Sequence, residues 1–255
     1  MTHVKAQDTI CFQLGTQYLS KIALQIERLL LTMDEACQEQ HPVIHHSALN
    51  HLFELIKLAE KPELKGRFLK EFMRLEHLNN KALPHELSGT SFAKLLAHIP
   101  ILSQLTGRFG EAIHTDPFIQ SIGLTSTGQI NDVELCSPQL WFWLENSAKT
   151  RQDDLTRWLE QLRPLYDTVK IYLALLREAC HFECIIPEKG FYQCSFPYSN
   201  KTACHLVIIR MNKRESLIPK VQIGNHGLSL RLCEAKSMRE VYDRTAPVEL
   251  AMCKL

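Results

Sequence analysis

Residues 137–193 read SPQLWFWLENSAKTRQDDLTRWLEQLRPLYDTVKIYLALLREACHFECIIPEKGFYQ, and this stretch decides the fold. Ser137 followed by Pro138 is typical of a helix start, because serine caps free backbone N–H groups and proline suits the first turn. Thr150 predicts a second helix start. Pro164 predicts a third, since it breaks the preceding helix and can open the next one. The stretch therefore predicts three consecutive helices.

Apolar residues in this stretch recur every three or four positions, so each predicted helix has one face to bury. They are Leu140, Trp141 and Leu144 in the first helix, Leu155, Trp158, Leu159 and Leu162 in the second, and Leu165, Val169, Tyr172, Leu173 and Leu176 in the third. The helical spacing stops at Gly190, where strand-like sequence begins. All three tryptophans of the chain fall here, and we therefore expect the heaviest part of the core in this stretch.

Length and composition are those of an ordinary globular protein. The chain has 255 residues, 45% of them hydrophobic and 22% charged, with a net charge of +1. This charge balance gives no general affinity for nucleic acid, so any charged site must be local. We find neither a signal peptide nor an apolar run of the roughly 20 residues that a membrane helix needs. Nine scattered cysteines are expected to be reduced thiols, and we predict a cytoplasmic protein.

The chain before this stretch is also predicted to be mostly helical. Thr9–Phe12 favours a short strand. Further along, His45 and His46 are expected on the solvated surface. Asp116 followed by Pro117 predicts a cap and a brief helix that ends near Gly123, before a polar loop over residues 124–132. Four other helices are predicted here. The first starts at Leu14 and includes Tyr18, Ile22, Ile26, Leu29 and Met33; the second runs from Ser47 to Glu60; the third contains Leu64 to Leu75. The fourth contains Phe92 to Ile99, and Pro100 is expected to shorten it.

Past Cys180 the pattern changes to alternation, which is typical of half-buried strands. Predicted strands lie at residues 203–211, 220–223, 228–233 and 248–253, with a tight turn at Asn225-His226-Gly227. Lys220 and Arg231 are expected on the polar face of this sheet. The sequence therefore predicts an α+β fold, with an all-α helical domain over residues 1–180 followed by a small antiparallel β-sheet or barrel-like domain over residues 181–255. The short strand at residues 9–13 is expected to join that sheet.

No catalytic motif supports an enzyme. Cysteines at 180, 184, 194 and 204 raise the possibility of a zinc site, but their spacings lack the paired short knuckles that hold zinc tetrahedrally. Cys180 and His181 are adjacent, and adjacency alone gives a thiol neither a base nor an oxyanion hole. We predict no metal, no cofactor and no enzymatic activity. The alternatives left open are a zinc- or thiol-dependent enzyme and a regulatory nucleic-acid-binding protein.

An ordered set of motifs spans most of the chain. They are Ala59-Glu60-Lys61-Pro62-Glu63, Leu140-x-x-Trp143-Leu144, Trp158-x-x-x-Leu162-x-Pro164-Leu165, Gly190-Phe191-Tyr192-Gln193 and Leu228-x-Leu230-Arg231. This set resembles the ZapD family of bacterial cell division proteins. The resemblance implies a cytoplasmic homodimer that does not bind nucleic acid or insert into the membrane. It also implies binding to the flexible C-terminal tail of FtsZ, the tubulin-like division GTPase, and bundling of FtsZ protofilaments at midcell.

The resemblance further implies a cleft lined with basic residues that engages the tail. Lys61, Arg108 and Arg231 match basic positions of the family. Two further family arginines fall at Pro117 and near Gly227, where this chain departs from the pattern. Lys220, His114 or Arg244 could substitute for them. The predicted tail-binding set is Lys61, Arg108, Lys220, Arg231 and Arg244.

Overall fold

The computed structural model describes residues 8–81, 90–125, 137–195, 204–224 and 227–254. Within these ranges the helices are α1 (Tyr18–Ala36), α2 (Pro42–Ala59), α3 (Glu63–Lys81), α4 (Thr90–Gln104), α5 (Pro117–Thr125), α6 (Pro138–Glu145), α7 (Ala148–Gln161) and α8 (Arg163–Glu178). The strands are β1 (Thr9–Gly15), β2 (Phe182–Ile185), β3 (Phe191–Ser195), β4 (Cys204–Asn212), β5 (Leu217–Gly224), β6 (Gly227–Glu234) and β7 (Val248–Lys254). After β1, the described helices precede the remaining antiparallel strands, which confirms the α+β class.

The chain divides into two compact units. The helical unit is Ile22–Ala174, and the β unit is formed by the chain up to Lys21 together with the chain from Leu175 onward. The division points fall inside α1 and α8, so each of these helices belongs partly to both units.

Aromatic side chains form the centre of the helical unit. Trp158 is fully buried and stacks on Phe118, with 5.5 Å between ring centroids and 8° between ring planes. Phe68 packs edge-on against Tyr172 at 5.7 Å, and both side chains are buried. Offset and edge-on ring contacts add to the stabilisation that burial of these large side chains already provides. The expected concentration of core residues around Trp158 and Tyr172 is therefore confirmed.

Asp116 links this aromatic core to a helix start. Its Oδ1 accepts hydrogen bonds from the backbone N–H groups of Phe118 and Ile119, which caps α5 as predicted. Its Oδ2 accepts from Trp158 Nε1 at 2.9 Å and from Arg157 Nη1 at 2.7 Å. Burial by itself raises the pKa of the Asp116 carboxyl, but these hydrogen bonds outweigh burial and hold the pKa below its usual range.

The β unit contains two antiparallel sheets. One has the strand order β1-β4-β7-β2 and the other has the order β3-β6-β5. β1 pairs with β4 from Thr9↔Asn212 to Gly15↔Leu206, so the strand near the chain start lies in the first sheet. The alternating apolar residues of both sheets contribute to one hydrophobic cluster, which includes Val207, Ile209, Leu228, Leu230, Leu232, Val248 and Leu250.

Two other predicted helix boundaries are confirmed and three are wrong. Ser137 Oγ accepts from Leu140 N, which caps α6, and Pro164 lies in the first turn of α8. Of the wrong ones, α2 begins at Pro42 rather than at Ser47, because His41 Nδ1 accepts from Val43 N and caps the helix earlier. The other two are the start of α7, capped by Ser147 rather than by Thr150, and the end of α4, which continues through Pro100 to Gln104.

Three apolar residues expected on buried helix faces are exposed or lie elsewhere. One of them, Tyr18 at the start of α1, is 41% exposed. Leu14 belongs to β1, not to a helix, because pairing with β4 continues through Gly15. Trp141 is half-exposed on α6, and Trp143 occupies the buried position beside Trp158 instead. The predicted turn residues Asn225 and His226, and most of the polar loop predicted at residues 124–132, lie outside the described residues.

His45 was expected at the solvated surface and is fully buried. Its Nδ1 accepts a hydrogen bond from Arg151 Nε at 2.8 Å, and its Nε2 lies 2.9 Å from the carbonyl oxygen of Glu39. An imidazole that accepts at Nδ1 is neutral and donates from Nε2. His45 is therefore a core residue in which both ring nitrogens have hydrogen-bond partners. The adjacent residues of the sequence did not indicate this.

Candidate functional site: basic residues on the two units

The two sheet residues predicted to bind a ligand lie directly side by side. Lys220 on β5 is the cross-strand partner of Arg231 on β6, and Arg231 is in turn the partner of Phe191 on β3. Residues that face each other across neighbouring strands point to the same side of a sheet. Both cationic side chains are exposed, and the Arg231 guanidinium carbon lies 4.7 Å from the centre of the Phe191 ring. The predicted polar face is confirmed.

One carboxylate lies against both cations. Glu240, in the connection between β6 and β7, places Oε1 3.4 Å from Lys220 Nζ and Oε2 3.3 Å from Arg231 Nη1. The Tyr242 hydroxyl donates a 2.9 Å hydrogen bond to Oε2. This hydrogen bond, together with the charges of Arg231 and Lys220, holds the pKa of Glu240 below its usual range, and the same contact raises the pKa of Tyr242. We call Lys220, Arg231, Glu240 and Tyr242 the Glu240 cluster.

Arg244 has a different partner. Its Nη2 donates to the backbone carbonyl of Glu215 at 3.2 Å and lies 3.8 Å from that residue's carboxylate. Glu215 ends the short 3₁₀ turn between β4 and β5. The described contacts of Arg244 therefore place it with Glu215 and not with the Glu240 cluster.

The two predicted residues of the helical unit lie on segments that contact each other. Lys61 lies between α2 and α3, and Arg108 lies in the segment after α4. His114 Nδ1 is 3.5 Å from the carboxylate of Glu60, and Lys65 Nζ donates a 2.6 Å hydrogen bond to the carbonyl of Leu105. These two contacts bring the segment around Lys61 beside the segment around Arg108. Arg108 is exposed and Lys61 is partly exposed.

The cysteines singled out in the sequence are thiols and not disulfides. Cys184 is exposed, Cys180 and Cys194 are partly exposed, and Cys204 is buried. Over the part of the chain that the structure describes, no three His, Cys, Asp or Glu side chains are grouped closely enough to hold a metal ion. Across the same residues, no helix has the length and apolar character required to span a membrane.

The sequence did not indicate a role for Glu240 or Tyr242, nor the ring contact of Phe191 with Arg231. The pairing of Lys220 with Arg231 belongs to the register of β5 and β6, in which Gly224 is the partner of Gly227. Glu240 lies in an irregular connection that no alternation pattern places. The sequence thus held a signal for the two cations but none for the carboxylate between them.

Comparison with known proteins defines the class of protein. A family model described as a cell division protein matches residues 24–231. Among curated proteins, the chain is 26% identical to a cell division protein ZapD of Nitrosomonas eutropha, over 96% of this chain and 100% of that protein. A cell division protein ZapD of Chromobacterium violaceum is also 26% identical, over 89% of this chain and 90% of that protein. One from Ralstonia nicotianae is 29% identical over 67% of this chain and 69% of that protein.

These matches cover most of the chain and both of its units, so the class is that of cell division proteins. The chain belongs to the ZapD family.

Proposed function

We propose that this protein binds the C-terminal tail of FtsZ and cross-links FtsZ protofilaments into bundles that support the division ring. It acts as a cytoplasmic homodimer recruited to midcell, without catalysis and without a cofactor. The observation that carries the proposal is the pair of exposed cations, Lys220 and Arg231, which lie side by side on the paired strands β5 and β6. Membership of a cell division family supports the cellular role.

The charge and exposure of the basic residues suit a flexible acidic ligand. A disordered tail loses chain entropy when it docks, so a single binding event is modest in affinity. Attraction between exposed cations and an acidic segment speeds encounter and weakens as salt is added. Lys61, Arg108 and Arg244 contribute to the same attraction from exposed or partly exposed positions. We therefore expect weak, salt-sensitive binding of one tail to one protomer.

Bundling requires at least two tail sites in one particle. A homodimer presents two sites and a filament presents many tails, so multivalency converts weak single contacts into strong cross-linking. Several of the described apolar side chains of the helical unit are exposed. Phe142 is 74% exposed, and Val43 and Ile101 are also well exposed. Exposed apolar side chains favour protein contacts. We propose that helices of this unit supply the dimer contact.

Charge reversal tests the tail site. Lys61→Glu, Arg108→Glu and Arg231→Glu are each expected to weaken binding of an FtsZ tail peptide by about tenfold, because each replaces an attractive charge by a repulsive one. Fluorescence anisotropy measures the dissociation constant, and circular dichroism checks that helix content is unchanged. Lys149→Glu, at an exposed position of α7, is the matched control and is expected to bind as the wild type does. Wild-type affinity in all three test variants would refute the site.

The alternatives predict different measurements. A regulatory nucleic-acid-binding protein would retain DNA in a gel shift, with affinity that falls steeply as salt rises. A zinc- or thiol-dependent enzyme would carry stoichiometric metal or a cysteine of low pKa. We expect neither DNA retention nor stoichiometric zinc.

A further inference from the structure

The geometry points to Glu240 as a built-in competitor of the ligand: its carboxylate occupies Lys220 and Arg231, and an acidic ligand must displace it to bind there. This inference rests on the proposed function for the identity of the ligand. It adds that the cations recognise a carboxylate, and that a residue of this chain sets how readily they become available.

The contacts of Glu240 are those that a bound carboxylate would make. One oxygen faces Lys220 and the other faces Arg231, at 3.4 and 3.3 Å, so a single carboxylate bridges two cations that stand opposite each other on β5 and β6. The hydroxyl of Tyr242 supplies a third contact at 2.9 Å. Two positive charges at directly opposed positions repel each other, and a carboxylate between them relieves that repulsion. The same stabilisation is available to a carboxylate from outside.

The backbone holds Glu240 in this place. Glu240 forms an isolated β-bridge with Cys233, and the neighbouring backbone is bonded to β6 through Glu234 N to Arg239 O at 2.9 Å and Val241 N to Leu232 O at 3.0 Å. The carboxylate is therefore delivered to the cations by fixed backbone. Only side-chain rotation is needed to remove it.

The ion pairs are weak enough to exchange. Side-chain exposure is 51% for Lys220, 44% for Arg231 and 27% for Glu240, so water and salt screen these contacts. Exposed ion pairs of this kind add little to stability. The protein therefore alternates between a form in which Glu240 covers the cations and a form in which they are free. An external carboxylate binds the free form, and its apparent affinity is reduced by the fraction of time that the cations are covered.

Removing the Glu240 charge tests this inference. Glu240→Gln keeps the size of the side chain but abolishes its charge, and it is expected to tighten binding of the FtsZ tail peptide by about threefold or more, since the free form is no longer depleted. Tyr242→Phe removes only the hydroxyl that helps to hold Glu240, and a smaller gain in the same direction is expected. Both gains are expected to shrink at high salt.

Glu249→Gln is the matched control. Glu249 is an exposed carboxylate of β7 that lies 3.8 Å from Arg210, outside the Glu240 cluster, and the substitution changes the net charge equally. We expect it to leave affinity within about twofold of the wild type, because only remote, screened charge is altered. A gain in Glu249→Gln equal to that in Glu240→Gln would overturn the inference, since the effect would then be one of net charge.

A second probe separates this inference from the proposed function. The same proteins are titrated with a short polyglutamate peptide. Tighter polyglutamate binding by Glu240→Gln without any tail binding would support the built-in competitor and refute the FtsZ partner. Unchanged or weaker binding of both probes by Glu240→Gln would overturn the inference that Glu240 competes with the ligand. No binding of either probe by any of the proteins would overturn it as well.

Discussion

Arg151 is buried, and its charge is stabilised by neutral acceptors. Its guanidinium donates to His45 Nδ1 and to the backbone carbonyls of Gln40, Leu144 and Asn146. Leu144 and Asn146 lie at the C-terminal end of α6, where unpaired carbonyl groups favour a positive charge. One side chain of α7 thus joins the start of α2 to the end of α6. This role was invisible in the sequence, because a lone arginine in a polar helix start is usually solvated.

The bond from Arg151 makes the stability of the protein depend on pH through His45. Burial is the largest influence and lowers the pKa of His45, and the charge of Arg151 lowers it further. The hydrogen bond to the Glu39 carbonyl raises the pKa but does not outweigh them. The unfolded chain therefore binds more protons below about pH 6.5, and the free energy of unfolding falls as pH falls. His98 is affected in the same direction, because burial lowers its pKa too.

We expect His45→Asn to reduce this pH dependence. Asparagine can still accept from Arg151 but cannot take up a proton, so the variant should lose less stability than the wild type between about pH 7.5 and about pH 5.5. The difference is measured by urea unfolding at each pH. His77→Asn, at an exposed position of α3, is the control and should follow the wild type. Equal slopes in His45→Asn and the wild type would show that His45 is not the responsible group.

At the scale of elements, local signals were predictable and long-range ones were not. Ser137 and Asp116 mark helix starts through hydrogen bonds within three residues, and Pro164 marks one through its fixed φ. The sequence predicted all three. The start predicted at Thr150 was wrong because Ser147 caps α7 three positions earlier. Ser147 Oγ accepts from the backbone N–H of Thr150, so Thr150 lies within the first turn of the helix. Leu14 was wrong because its helical spacing was overridden by pairing with β4, which is distant in sequence.

The residues of the candidate site also divide into those that local sequence patterns could place and those that they could not. Alternation placed Lys220 and Arg231 on one polar face, since side chains two residues apart in a strand share a side. Lys61 and Arg108 were selected by family resemblance alone, and the contact between their segments depends on packing around His114 and Lys65. No pattern could place Glu240, because an irregular connection has no period.

Replacing either of two glycines by alanine is expected to change the free energy of unfolding, in opposite directions. Gly190 precedes β3 with φ of 73°, and a Cβ there would lie 2.0 Å from the carbonyl oxygen of Val241. Gly190→Ala is expected to lower the free energy of unfolding by about 2 kcal/mol, because strain and a steric clash are both introduced. Gly66 lies inside α3 with open space where a Cβ would be. Gly66→Ala is expected to raise the free energy of unfolding by about 0.5–1 kcal/mol.

Urea unfolding of the two variants beside the wild type checks this pair. Each substitution adds one methyl group, so each is the control for the other. A tolerated Gly190→Ala would mean that the turn into β3 has a different backbone, and a destabilising Gly66→Ala would mean that the outer face of α3 is covered.

At the scale of the whole molecule, cross-linking depends on the number of tail sites in each particle. Sedimentation equilibrium is expected to give twice the chain mass of 29.4 kDa at the concentrations that bundle filaments. Dilution to a monomer should abolish bundling while leaving tail-peptide affinity per chain unchanged, because only valency is lost. Bundling by a demonstrated monomer would contradict the proposed arrangement.

The most direct test of the central claim is co-sedimentation with FtsZ polymers that are either intact or truncated before the C-terminal tail. The proposal predicts that this protein pellets with intact polymers and bundles them, and that truncation abolishes both effects, because the tail is the attachment point. Equal pelleting and bundling of truncated polymers would contradict it.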